Sequence, residues 1–67
     1  MKVFLVERNE KLSWDEDFAM VIVAEDERHA ERKARWTSDD FKESKNIKIT
    51  EVNTNEEQCV LIARTSA

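Results

Sequence analysis

The chain contains no glycine and no proline. Phosphate-cradling loops of the P-loop and dinucleotide-binding kinds need backbone positions that only glycine occupies without strain, so they are excluded. Turns must rest on Asn, Asp and Ser, and Asn in particular tolerates left-handed backbone. There is one cysteine, Cys59, and one histidine, His29. No disulfide can form within the chain, and a lone cysteine fits a reducing cytosol better than a secreted scaffold. One Cys and one His build no classical metal site, and no cofactor is expected.

Long apolar runs are missing too. Nothing approaches the roughly 20 residues that span a bilayer, so no membrane role is expected. The apolar stretch within Met1–Val6 is too short for a signal-peptide core, and Glu7, Arg8 and Glu10 follow at once. The expected location is the cytoplasm.

The chain has 67 residues, enough for a single domain, 1–67. A domain of this size buries only about 60% of its unfolded surface. Without disulfide or metal, oligomerisation is the remaining common support. The charge is −4, from 11 basic and 15 acidic residues. That balance disfavours nucleic acid as a general partner.

Residues 2–7, 18–24, 47–52 and 59–64 read as strands, and Asp26 as the N-cap of a helix running to about Trp36. Asp39 to Lys42 reads as a further turn that carries Phe41 inward. The order is ββαββ: an α+β domain with one helix packed on a four-stranded sheet. Strands 1 and 4 are expected as central neighbours, with strand 3 at an edge. Residues 8–17 form a charged loop containing Leu12 and Trp14, and Asn53–Glu56 a turn.

Strands 1, 2 and 4 carry apolar residues at both parities, whereas the helix offers Ala30 and Ala34. Trp36 and Phe41 are expected to add cover. One such helix cannot cover both faces of the sheet. Apolar residues of one parity are therefore expected to stay exposed, as at an interface. A homodimer is the expected outcome.

Arg28, Arg32 and Arg35 lie nearly opposite the alanines on a helix and form a basic stripe. The stripe is either a solvated face, with Glu31 pairing to Arg35, or a grip for phosphates or an acidic partner. Trp14, Trp36 and Phe41 either plug the ends of a thin core or, for the tryptophans, anchor an interface. The acidic run Asp15-Glu16-Asp17 is either solvated loop or a mimic of a phosphate backbone. Trp14, Asp15, Glu16, Asp17, Arg28, Arg32, Arg35 and Trp36 are thus the candidate partner-binding residues. No catalytic residues stand out. Cys59 is expected inside an apolar strand, and nothing places His29 as its base, so an enzyme is not expected.

The stretches Phe4–Arg8, Trp14–Asp17, Val21–Glu27 followed by Ala30, and Asn46–Val52 resemble a group of short proteins encoded by phages and prophages. The ending, Glu57–Ala67, is similar as well. Members of that group close with a Ser-Phe-Asn-Ala-Gly-like tail. Here Arg64-Thr65-Ser66-Ala67 stands in that place, without its Phe, Asn and Gly. The resemblance implies no activity. It implies an accessory protein of the host cytoplasm that binds and inhibits a host bacterial protein, such as a defence or regulatory factor. Two other readings stand beside it: a nucleic-acid-binding module using Arg28, Arg32, Lys33 and Arg35, and a purely structural homodimer.

Overall fold

A computed structural model describes residues 1–9 and 18–61. Three strands and two helices follow one another: β1 (Lys2–Arg8), β2 (Ala19–Ala24), α1 (Glu27–Thr37), α2 (Asp39–Glu43) and β3 (Ile47–Glu51). The strands form one antiparallel sheet in the order β2-β1-β3. Both outer strands run antiparallel to β1 and hence parallel to each other. A parallel pair needs a long crossover. The helical segment supplies it, passing over β1.

The expected four-stranded sheet is corrected to three strands among the described residues. β1 is paired on both sides, with β2 and β3, so no edge is left beside it for a fourth strand. Cys59, Val60 and Leu61 have no regular structure. The rest of the expected strand, 62–64, lies outside the described residues, as does the loop over 10–17. After β3 the chain turns on side chains. Asn53 Oδ1 accepts from the backbone amide of Asn55 at 2.9 Å, and the side-chain Nε2 of Gln58 donates to the Asn53 backbone carbonyl. No described residue has positive φ, so this turn uses no left-handed residue.

Side-chain parity sets the two faces of the sheet. Phe4 and Val6 of β1, Ile22 and Ala24 of β2, and Ala30, Ala34 and Phe41 of the helices make one buried cluster. Met20, Ile47 and Ile49 pack at its margin. The alanines let α1 lie close to the sheet. The Phe41 ring, fully buried, supplies the volume they lack. On the other face Leu5 is buried, while Val21 and Val23 are 61% and 60% exposed.

The helix ends follow from their caps. Asp26 has extended backbone, and its carboxylate accepts from the amide of His29 at 2.9 Å. Ser38 serves both helices. Its amide donates to the Ala34 carbonyl at the end of α1, and its hydroxyl accepts from the Phe41 amide at the start of α2.

Candidate functional site

The basic stripe expected on α1 is not one surface. Arg35 is turned to structural use. Its Nε donates to Glu31 Oε2 at 3.0 Å, and its Nη1 donates to the carbonyls of Phe41 at 2.8 Å and Ser44 at 2.9 Å. Helix ends leave carbonyls short of partners. The Phe41 carbonyl accepts from the Ser44 amide at 3.2 Å, and Arg35 adds a second donor to it and a donor to the Ser44 carbonyl. Arg28 lies on another flank, in a groove it shares with Glu27, Glu31, Ile47 and Ile49.

What the fold does assemble is a second stripe on the same helix. His29, Arg32, Lys33 and Trp36 follow i, i+3, i+4, i+7 spacing, the repeat that puts residues on one side of a helix. With Met1, Val23, Ala24 and Glu25 they line a surface groove of about 360 Å³. Trp36 is 89% exposed and Met1 88%. This corrects the expectation that Trp36 plugs or covers the core. That role falls to Phe41 alone among the described members of the trio. Trp14, Asp15, Glu16 and Asp17 lie outside the described residues.

The groove therefore joins an indole, the Met1 side chain and Val23 to two cationic side chains. His29 is fixed at one end, its Nδ1 2.9 Å from Asp26 Oδ1. The His29 amide, and then the His29 ring, hold the Asp26 carboxyl below its ordinary value by hydrogen bonding to its charged form. The imidazole is thus engaged at the helix cap.

Cys59 departs from its expected setting. It is exposed, and its thiol lies 3.8 Å from the Leu61 carbonyl. Among the described residues no group of three or more His, Cys, Asp or Glu could hold a metal ion. No helix among them is long and apolar enough to cross a membrane.

No protein-family model, curated protein or solved structure matches the chain.

Proposed function

We propose that this is a non-enzymatic binding protein whose α1 groove receives a segment of another protein, apolar at its tip and acidic at its flank. The observation that carries this reading is the exposure of Trp36 beside Arg32 and Lys33. A tryptophan left almost wholly in water forgoes a large hydrophobic gain, on the order of 150–250 Å² of burial for an aromatic side chain. Tryptophan and arginine are the residues that most often dominate binding energy at protein interfaces. An apolar side chain of the partner would pack on Trp36 and Met1. Its carboxylates would meet Arg32 and Lys33.

The resemblance to phage-encoded proteins suggests the setting: the cytoplasm of a bacterial host, with a defence or regulatory protein as the partner and inhibition by occupancy as the effect. The competing reading is nucleic acid. An aromatic beside cations also makes a stacking platform for single strands. The chain's net charge of −4 opposes it, and Arg35, one of its four expected cations, is engaged with Glu31 and with main-chain carbonyls.

Affinity capture from bacterial lysate, with and without nuclease, tests the choice. The expected result is a protein retained by the wild type, unaffected by nuclease, and lost with Arg32→Glu plus Lys33→Glu in a variant of unchanged circular dichroism. Retention that disappears with nuclease would overturn the reading in favour of nucleic acid.

A further inference from the structure

Among the described residues, the outer edge of β2 carries none of the usual safeguards. Ala19–Ala24 reads Ala-Met-Val-Ile-Val-Ala and pairs with β1 in unbroken register. Soluble proteins ordinarily blunt a free strand edge with charge, proline or a bulge. β2 contains none of them, whereas the opposite edge strand, β3, carries Lys48 and Glu51.

The ladder shows which groups that edge presents. Arg8 donates its amide to the carbonyl of Phe18, its opposite residue, at 2.9 Å. Opposed pairs alternate along an antiparallel ladder. Met20, Ile22 and Ala24 therefore turn their backbone groups toward β1, and Ala19, Val21 and Val23 turn theirs outward. Among the described residues β2 pairs on one side only. Val21 and Val23 also carry the exposed side chains of the face away from the helices.

We propose that this edge pairs antiparallel with β2 of a second copy of the chain about a two-fold axis. Two three-stranded sheets then become one continuous sheet. The axis must stand perpendicular to the sheet, so opposed residues share a face and the helices of both copies lie on one side. Only odd-numbered residues offer outward backbone groups. Both conditions are met with Val21 opposite Val23 of the second copy and Ile22 opposite Ile22. Each Val21–Val23 pair then exchanges two backbone hydrogen bonds, and the exposed valines of both copies merge into one apolar patch. Glu25 falls opposite Ala19 of the other copy, so no like charges meet. The strand is thus complementary to itself, which selects a second copy over an unrelated strand. A chain of 67 residues with one cysteine also lacks disulfide support within itself.

Sedimentation equilibrium from low to high micromolar concentration tests this. The mass should rise from 7.9 kDa toward twice that value. Val21→Lys should stay at the single-chain mass with unchanged circular dichroism. Val21 does not line the α1 groove, so this outcome is read separately from the proposed function. Val21→Pro removes an amide that β1 does not use and should act in the same way. In the wild type, amide exchange at Val21 and Val23 should slow as concentration rises, with Met20 and Ile22 protected throughout. A single-chain mass across the range, a Val21→Lys or Val21→Pro variant that still dimerises, or concentration-independent exchange at Val21 and Val23 would overturn the proposal. Exchange in the wild type decides the matter if neither variant folds.

Discussion

Arg35 Nη1 donates to the carbonyl oxygen of Phe41 over 2.8 Å, which ties the helix that displays Trp36 to the ring that fills the core. The same nitrogen reaches Ser44, so a single guanidinium closes α2 from outside. α2 has five residues, too few to hold itself by helix cooperativity. Its stability comes from Phe41 below, Ser38 at its start and Arg35 at its end.

Arg35→Ala should therefore cost more than removal of a surface arginine. The expected loss is about 1–2 kcal/mol, in the range for hydrogen bonds to a charged donor, discounted for partial exposure. Arg32→Ala, on the open groove, should change stability by less than about 0.5 kcal/mol. Chemical denaturation of the two variants checks the contrast. Arg35→Lys should recover little, because an ammonium cannot span Glu31 and two carbonyls as the planar fork does.

The Asp26 cap makes helix stability depend on acid. The folded carboxyl sits below its ordinary value, chiefly through the His29 amide. Its contribution is full above the unfolded value and is lost as pH falls through the unfolded range to the lowered folded value. Asp26→Asn keeps an acceptor for the amide but removes the charge. Thermal melts should therefore show the wild type more stable than Asp26→Asn at neutral pH. The gap should close below about pH 4, where the unfolded carboxyl protonates. A gap of constant size down the acid limb would contradict this assignment.

The sequence and the fold agree wherever the deciding interactions are local. Asp26 was readable as a cap because a short acceptor preceding a helical run satisfies first-turn amides. The bounds of β1, β2 and β3 fall within a residue of those expected, because each is an apolar run bounded by charge or turn chemistry. Phe41 was readable as inward-facing in the short turn that became α2. The irregular backbone of Cys59, Val60 and Leu61 was not readable: they have strand composition, but the central place beside β1 expected for their strand is taken on both sides by β2 and β3.

The site was half legible. Arg28, Arg32 and Arg35 do lie away from the alanines, but no helical wheel shows that Arg35 reaches past the helix to the carbonyls of Phe41 and Ser44. That reach is tertiary. The exposure of Trp36 was within reach of the wheel. It stands roughly 120–160° around the helix from Ala30 and Ala34, which points it away from the sheet. The i, i+3, i+4, i+7 run of His29, Arg32, Lys33 and Trp36 was the signal for the groove.

The central claim is that Trp36 anchors a protein partner. Its most direct test is the affinity of the captured partner for wild type and for Trp36→Ala, measured by titration calorimetry. Because Trp36 is 89% exposed, the substitution should leave the melting temperature nearly unchanged. Affinity should fall by at least roughly 25-fold, the loss expected of an interface hot spot. Affinity within about two-fold of wild type, less than 0.5 kcal/mol, would contradict the account.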